Sequence, residues 1–253
     1  MYKKELELAI RAAKEAGAIL SARCNVTVDS AEGKDIKLSA DKNSEKKVIS
    51  ILQEGSEHPV LSEECGKVGT DDSSGLHWIV DPLDGTANYF RGATELTCVS
   101  IALWKDNEPV LGVIYRYATD EMFYGVVGEG AFCNGEEIHT SDVTDVSKAF
   151  ITTGFPVHRD YSDESLSTFI RTIQHFKKVR MLGAAALMGV FVAAARVDVY
   201  FEDHIMLWDI AAAAAIVKAA GGQTSIELLE DNMCVCKFFA NSALMEDFNA
   251  KGL

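Results

Sequence analysis

The residues best suited to chemistry lie in one segment, residues 78–88, with the sequence WIVDPLDGTAN. Asp81 and Asp84 stand three positions apart, directly after an apolar run that is typical of a β-strand. The proline between them restricts φ to about −65°, and the glycine that follows lacks a Cβ, so the backbone can turn sharply here. Such a turn can direct both carboxylates and the Leu83 carbonyl to one point. Three hard oxygens at one point suit Mg²⁺.

The same segment also offers groups that could bind an anion. Asp84 and Thr86 favour the start of a helix, and the free N–H groups of a helix N-terminus bind phosphate. Asp-Gly and Pro-x-Asp-Gly are, however, also ordinary turn sequences that carry no chemistry in most globular proteins. The choice between the two interpretations depends on acidic residues elsewhere in the chain.

Two further acidic positions could complete a metal site. Glu63 and Glu64 follow the short apolar run 60–62, so one of them points towards the site and its neighbour away. Glu63 would then bind metal and accept a proton from water. Asp209 opens an Ala-rich helix, which would hold its carboxylate rigidly. Taken alone, the glutamates are typical of a surface and Asp209 of a helix N-cap.

Asp41 is a fourth candidate, just before a helix that is predicted to begin at Ser44. It is either a loop or capping residue or the acceptor of a hydrogen bond from Thr86. In the second case it would polarise that hydroxyl towards an attacking water.

Composition and charge restrict the class of protein. The chain has 253 residues, of which 48% are hydrophobic, which predicts a globular protein with a substantial core. The net charge of −14, without a basic stripe, argues against a nucleic-acid surface. An acidic protein could still act on an anionic substrate if carboxylates surround divalent cations.

Neither a signal peptide nor a membrane span is predicted. The N-terminus has no signal-peptide pattern, and the most apolar run, 211–217, is too short to cross a bilayer, so we expect a cytoplasmic protein. Free, mostly buried thiols are expected at the scattered cysteines Cys24, Cys65, Cys98, Cys133, Cys234 and Cys236.

The hydrophobic periodicity predicts mixed α and β structure. Helices are predicted at 3–23, 44–52, 163–176, 184–195 and 207–220. Strands are predicted at 60–62, 98–103, 109–117, 121–127, 150–152, 178–181 and 197–201, and those between 96 and 132 form an antiparallel meander. A loop or hairpin is expected at 28–39 and a loop at 66–75. A boundary near residue 140 divides the chain into an α+β subdomain, 1–140, with most metal ligands, and an α/β subdomain, 141–253, that closes the site.

Together these segments resemble the inositol monophosphatase family of Mg²⁺-dependent, lithium-sensitive phosphatases, within the fructose-1,6-bisphosphatase-like superfamily. The resemblance spans Lys34 to Gly222. It is carried by Glu63-Glu64 and by the segments 78–88, 99–103, 154–156, 183–187, 208–212 and 221–222. It implies an α+β fold, a layered αβαβα sandwich of the sugar phosphatase type, often assembled as a homodimer.

The resemblance also implies a role for each site residue. The ligands of two or three Mg²⁺ ions would be Glu63, Asp81, the Leu83 carbonyl, Asp84 and Asp209. Glu63 and Thr86, with Asp41 behind Thr86, would activate water. The N–H groups of Gly85 and Thr86 would hold phosphate oxygens. The alcohol part of the substrate would face Asp84, Gly183, Ala184, Ala185 and Glu202, and Lys34 would approach the site from a loop.

Some positions depart from the family pattern. Ser62 and Cys65 flank the glutamates where a Gly and a Ser are common, so oxidation of Cys65 could affect the site. Ala184 stands where a hydroxyl residue is frequent, and the segment 91–94 lacks a common proline. These departures concern the substrate rather than the metal carboxylates.

The resulting prediction is a phosphoric monoester hydrolase that uses metal-activated water on a small phosphate monoester, with inositol monophosphate as the first choice. Fructose-1,6-bisphosphatase, nucleotide 3′-phosphatase and histidinol-phosphatase activities are alternatives on the same fold. A second substrate phosphate would require a basic pocket, for which the candidates are Arg91, Arg159, Lys177, Lys178 and, foremost, Arg180. A weakly active protein that binds a phosphorylated ligand or a partner protein is the alternative from another class.

Overall fold

The structure of the protein is a computed structural model that describes residues 2–23, 28–32, 35–70 and 73–253. The helices in these ranges are α1 (Lys3–Ala22), α2 (Ser39–Gly55), α3 (Thr86–Arg91), α4 (Asp163–Ile173), α5 (Ala185–Ala193), α6 (Leu207–Ala219) and α7 (Ser242–Ala250). The strands are β1 (Val28–Glu32), β2 (Asp35–Leu38), β3 (Val60–Ser62), β4 (Gly66–Val68), β5 (Leu76–Asp84), β6 (Cys98–Lys105), β7 (Glu108–Arg116), β8 (Glu121–Val126), β9 (Gly130–Cys133), β10 (Glu136–Ile138), β11 (Phe150–Thr153), β12 (Lys178–Arg180), β13 (Val199–Met206), β14 (Gln223–Leu228) and β15 (Met233–Phe239).

Most of the first half of the chain forms an eight-stranded sheet in the order β10-β9-β8-β7-β6-β5-β3-β4. Its strands pair antiparallel, except that β3 runs parallel to β5. The predicted meander is therefore confirmed, and β1 and β2 form a hairpin in the segment 28–39, where a loop or a hairpin was expected. The prediction of a loop at 66–75 was wrong in part, because Gly66–Val68 pairs with β3 as an additional strand.

The second half of the chain contributes a five-stranded sheet in the order β12-β11-β13-β15-β14. The strand β11 runs parallel to both β12 and β13, whereas β15 runs antiparallel to β13 and β14. The parallel pairs follow from the alternation of strands with α4 and α5, because a crossover helix returns the chain in the same direction. The division into two subdomains at residue 140 stays a prediction.

The sheets and helices stack in five layers. The helices α1 and α2 cover the outer face of the larger sheet through a cluster that includes Leu52 and Val80. Between the two sheets lie α5 and α6, in a cluster that includes Ile210 and Phe238. The helix α7 covers the outer face of the smaller sheet through Phe248. The predicted α+β fold, an αβαβα sandwich, is confirmed.

The Ala-rich helix α6 lies in the middle layer and is apolar on all sides, as expected for a helix without a solvent face. Its residues from Ile210 to Val217 are 0% exposed. The neighbouring strand β7 carries Gly112, where a Cβ would lie 2.2 Å from the Ala212 carbonyl oxygen. This close packing holds the N-terminal half of α6, whose first turn contains Asp209.

Two helices differ from the prediction. The helix α2 begins at Ser39 rather than Ser44, so Asp41 lies in its first turn and not in a preceding loop. The Asp41 carboxylate accepts a hydrogen bond from the Leu38 N–H at 2.7 Å, which is the bond that stabilises this earlier start. The C-terminal helix α7 had no counterpart in the prediction. Within the described residues, no helix combines the length and apolar composition needed to cross a bilayer.

Candidate active site

Most of the predicted site residues line one cavity of about 610 Å³. From the first half of the chain they are Glu63, Asp81, Leu83, Asp84, Gly85 and Thr86. From the second half they are Gly183, Ala184, Ala185, Glu202 and Asp209. Residues that are more than 100 positions apart in the chain therefore face a common space.

The segment that carries the paired aspartates ends β5 and begins α3. The register between β5 and β6 shifts between Asp81 and Asp84, so the strand bulges at this point. The chain turns at Gly85 rather than at the proline, with φ of 86°, and a Cβ there would lie 2.7 Å from a backbone carbonyl oxygen. Only glycine allows this turn without strain. Asp81 accepts a hydrogen bond from the Leu83 N–H at 2.9 Å, which fixes the local bend.

Asp84 joins the two halves of the protein. Its carboxylate accepts hydrogen bonds from the N–H groups of Ala185 at 2.9 Å and Leu187 at 3.3 Å, in the first turn of α5. An acidic group at a helix N-terminus is stabilised by the unpaired N–H groups and the helix dipole. Burial raises the pKa of Asp84 to about 6, although these hydrogen bonds oppose the change.

Burial, reinforced by repulsion between neighbouring carboxylates, dominates the electrostatics of the cavity. Burial raises the pKa of Asp81 well above its ordinary value, and the nearby charges of Glu63 and Asp84 add to this effect. Burial likewise raises the pKa of Asp209, with the charge of Glu63 as the next cause. Burial raises the pKa of Glu202 to about 8, with the charge of Asp84 as the next cause. A divalent cation would compensate this excess of negative charge.

The donor set fits Mg²⁺, which prefers carboxylate and carbonyl oxygens. The groups that would hold it are the side chains of Glu63, Asp81, Asp84 and Asp209 and the Leu83 carbonyl. Among the described residues, no three His, Cys, Asp or Glu side chains already converge as a cation site. Asp84 is held towards α5 by its backbone hydrogen bonds, and its Oδ1, which accepts one of them, keeps a further lone pair for a cation.

Two predicted residues lie outside the cavity. Asp41 is 2% exposed and bonded to the backbone in front of α2, while the Thr86 hydroxyl donates to the Leu83 carbonyl at 3.1 Å. The expected hydrogen bond from Thr86 to Asp41 is therefore replaced by a local one. Arg180 is exposed, donates to the carbonyl of its neighbour Val179, and does not line the cavity.

The other basic candidates do not line the cavity either. Arg159 is buried and paired with Asp203 at 2.8 Å, so its charge is already compensated. Arg91, Lys177 and Lys178 are absent from the lining residues. Lys34 lies outside the described residues, so its predicted approach to the site stays a prediction.

One part of the cavity wall in the second half of the chain was not assigned to the site by the sequence analysis. It includes the loop residues 154–158 and His204, which lies in a bulge of β13. His204 has φ of 55°, a left-handed conformation that is rare for residues other than glycine. Arg159 stacks 4.3 Å from the ring centre of Phe169 and pairs with Asp203, so it ties the loop to the bulge. No sequence signal indicated this pairing.

Two buried polar residues of α2 were also missed. The Ser44 hydroxyl donates to the Pro82 carbonyl at 2.8 Å. One oxygen of Glu45 accepts from the hydroxyl of Ser62 and from the N–H groups of Glu64 and Cys65. The available signal was the helical period, because both residues share the buried face of α2 with Val48 and Leu52.

The cysteines of the described part of the chain are free thiols, and Cys98, Cys234 and Cys236 are buried. Cys24 lies outside the described residues. Cys65 is exposed, but burial of its thiol and the charge of Glu45 raise its pKa to about 11. Because the thiolate is the reactive form, the expected sensitivity of the site to oxidation at Cys65 is not supported.

Comparisons with known proteins agree with this geometry. Residues 1–226 match the model of the inositol monophosphatase family. The chain is 34% identical to Nus factor SuhB of Pasteurella multocida over 223 residues, which are 86% of this chain and 83% of the relative. It is 35% identical to inositol monophosphatase 3 of Solanum lycopersicum over 227 residues, 86% of this chain and 84% of the relative.

Solved structures show the same fold. The inositol monophosphatase from Anabaena (Nostoc) sp. PCC 7120 superposes with a TM-score of 0.84 at 34% identity, covering 98% of this chain and 94% of that one. The extragenic suppressor protein suhB from Bartonella henselae also gives 0.84, at 28% identity and 98% coverage of both chains. With the acidic cavity and the layered fold, these matches show that the chain belongs to the inositol monophosphatase family.

Proposed function

We propose that this protein is a Mg²⁺-dependent phosphoric monoester hydrolase that uses water to release phosphate from a small hydroxylated alcohol. Family membership supports phosphatase chemistry on small phosphorylated substrates. One observation carries the proposal further. Carboxylates from three separate segments line one cavity together with Gly85 and Thr86 at the beginning of α3.

Each residue has a distinct part in the proposed reaction. Two or three bound Mg²⁺ ions would lower the pKa of water and compensate charge on the phosphoryl group and the leaving oxygen. Glu63 accepts the proton of the attacking water. Thr86, which lines the cavity, orients that water. The N–H groups of Gly85 and Thr86 donate to phosphate oxygens, where charge develops in the transition state.

The cavity supports an uncharged, hydroxylated leaving group. Among the described residues that line it, none is Lys or Arg. A second phosphate would therefore face carboxylates without a compensating cation, which disfavours fructose 1,6-bisphosphate and nucleotide 3′-phosphates. Glu202 is 3% exposed, and its buried Oε1 has no hydrogen-bond partner in the described part of the chain. This oxygen suits a substrate hydroxyl, and inositol monophosphate is the first candidate.

The test is phosphate release from a panel of phosphomonoesters, with Mg²⁺ or with EDTA. We expect hydrolysis of inositol monophosphate to exceed that of fructose 1,6-bisphosphate, a nucleotide 3′-phosphate and histidinol phosphate, and to stop without Mg²⁺. Asp84→Asn should lower kcat/KM by at least about 100-fold, since several kcal/mol of charge stabilisation are lost and 1.4 kcal/mol corresponds to tenfold. Near-normal turnover by this variant, with Mg²⁺ present, would contradict the metal assignment.

The finer expectations from the family belong to the same proposal. They are inhibition by lithium, a homodimer and a cytoplasmic location. Phosphate release measured against increasing LiCl tests the first, and light scattering of the purified protein tests the second.

A second candidate function is binding of a partner protein. The curated relatives that match include proteins named Nus factor SuhB, which favours this alternative over other non-enzymatic functions. The net charge of −14 argues against direct contact with nucleic acid. If the purified protein binds Mg²⁺ but releases no phosphate from any ester of the panel, the binding function is favoured.

A further inference from the structure

Two consecutive residues of α2, Ser44 and Glu45, are buried polar groups outside the proposed catalytic cavity. They are 0% and 5% exposed, and neither lines that cavity. Each is hydrogen bonded to a segment that carries proposed metal ligands. Through these hydrogen bonds they can affect the position of the proposed metal ligands without contacting the substrate.

Glu45 holds the turn that contains Glu63. This turn connects β3 to β4 and leaves backbone N–H groups without a partner in the sheet. One carboxylate oxygen, Oε1 of Glu45, accepts from the N–H groups of Glu64 and Cys65, both at 3.1 Å. The same oxygen accepts from the Ser62 hydroxyl at 2.5 Å. The residues on both sides of Glu63 are thus tied to one atom.

Ser44 holds the segment that contains the paired aspartates. The pairing between β5 and β6 is interrupted between Asp81 and Asp84, where the register shifts. The Pro82 carbonyl lies inside this interruption and accepts from the Ser44 hydroxyl at 2.8 Å. The turn after β3 and the bulge of β5 therefore each gain a hydrogen-bond partner from the same turn of α2.

We propose that Ser44 and Glu45 are positioning residues that set the separation between the Glu63 turn and the segment 81–84, and thereby the affinity of the site for Mg²⁺. The inference rests on the proposed function, because it concerns the metal of that site. Loss of the Glu45 carboxylate leaves three donors without their acceptor, which also costs stability. Outer groups that orient metal ligands in addition change metal affinity strongly when they are removed.

The test is calorimetric titration of the substrate-free protein with Mg²⁺. We expect Glu45→Ala to weaken Mg²⁺ binding by about 10–100-fold, the usual effect of losing an outer-shell partner. Glu45→Gln keeps an acceptor oxygen for the same three donors, so its affinity should stay within about threefold of the wild type. Ser44→Ala removes one neutral hydrogen bond of about 0.5–1.5 kcal/mol and should weaken binding by about 2–10-fold.

Kinetics and matched controls separate positioning from a general loss of structure. At saturating Mg²⁺, the kcat of Ser44→Ala should return towards that of the wild type, while its apparent affinity for Mg²⁺ stays low. Ser50→Ala and Glu54→Ala change exposed residues of the same helix and should leave Mg²⁺ binding unchanged. Thermal unfolding of each variant shows whether it is folded. If Glu45→Ala does not fold, Ser44→Ala and Glu45→Gln decide the outcome.

Three results would overturn the inference. One is Mg²⁺ affinity within twofold of the wild type in folded Ser44→Ala and Glu45→Ala. Another is a loss in Glu45→Gln as large as in Glu45→Ala, which would assign the effect to charge rather than to hydrogen bonding. The third is an equal loss in the control variants. A wild-type protein that binds no Mg²⁺ would overturn the proposed function as well, whereas active wild type with unaltered variants overturns only this inference.

Discussion

The two sides of the cavity are built in different ways. On the acidic side, Asp81, Asp84 and Thr86 lie within six residues of one chain segment, and the local backbone sets their relative positions. On the opposite wall, Arg159 and Asp203 are 44 positions apart and meet only through packing. The comparison teaches that the central part of the proposed metal site is encoded locally, although Glu63 and Asp209 join it from other segments. The surface facing the leaving group depends on contacts between distant elements.

The largest effect is expected on the acidic side. Asp209→Asn removes a charged donor from the rigid first turn of α6, so kcat/KM should fall by at least about 100-fold, as for a loss of several kcal/mol. The metal-free variant should be no less stable than the wild type, because a repelled carboxylate has been neutralised. Phosphate-release kinetics and thermal unfolding in EDTA test both parts. Normal activity would show that the far half of the chain supplies no essential metal ligand.

The pH dependence of stability should reveal the burial of Glu202 among other carboxylates. The pKa of Glu202 is raised to about 8 in the folded protein, so the folded state binds more protons than the unfolded state between about pH 4.5 and 8. The stability of the metal-free protein should therefore be fully present at low pH and decline as pH rises through this window. The decline should be roughly 2–5 kcal/mol, since one pKa unit corresponds to about 1.4 kcal/mol.

Chemical unfolding in EDTA from pH 5 to 8 measures this slope. Glu202→Gln is the matched variant, because it removes the titrating group and should flatten the upper part of the profile. A stability that rises over this window in the metal-free protein would contradict the raised pKa.

A smaller effect is expected from a substitution in the opposite wall of the cavity, where Arg159 pairs with Asp203. Arg159→Met keeps the contact with Phe169 but leaves Asp203 without its charged partner, at a cost of about 1.5–3 kcal/mol in unfolding free energy. The KM for the ester should rise because the loop 154–158 is released, while Mg²⁺ affinity stays unchanged. Urea unfolding and metal titration measure the two quantities. Weakened Mg²⁺ binding would show that the two sides are not independent.

The smallest effect is expected from a substitution in the bulge of β13, at His204. His204→Gly relieves a left-handed conformation that disfavours side chains by about 1–2 kcal/mol, partly offset by the greater freedom of glycine in the unfolded chain. Stability should therefore rise by at most about 1 kcal/mol, with a modest increase in KM. Asp231→Gly is the control, with the same φ of 55° but outside the cavity lining. Its KM should not change, and an equal rise in KM would remove His204 from the substrate wall.

The site was predicted best where its residues are local. The order Asp-Pro-Leu-Asp-Gly-Thr indicated the oxygen donors, and the periodicity indicated α6 with Asp209 at its start. The position of Asp41 before α2 was predicted wrongly, because the start of that helix depends on one hydrogen bond to the Leu38 N–H that the pattern does not reveal. Arg180 does not line the cavity, because charge alone does not determine whether a side chain reaches it.

The amino-acid sequence by itself determined the donor types, their order along the chain and most of the helices and strands, because short-range spacing and periodicity are properties of neighbouring residues. The layered arrangement was implied only by the resemblance to the family. Only the tertiary structure decided that α5 receives Asp84, that Ser44 and Glu45 hold the two ligand segments, and that Arg159 is neutralised by Asp203. Each of these contacts joins residues far apart in the chain. They form only after the sheets and helices pack, since packing selects which buried polar groups find a partner.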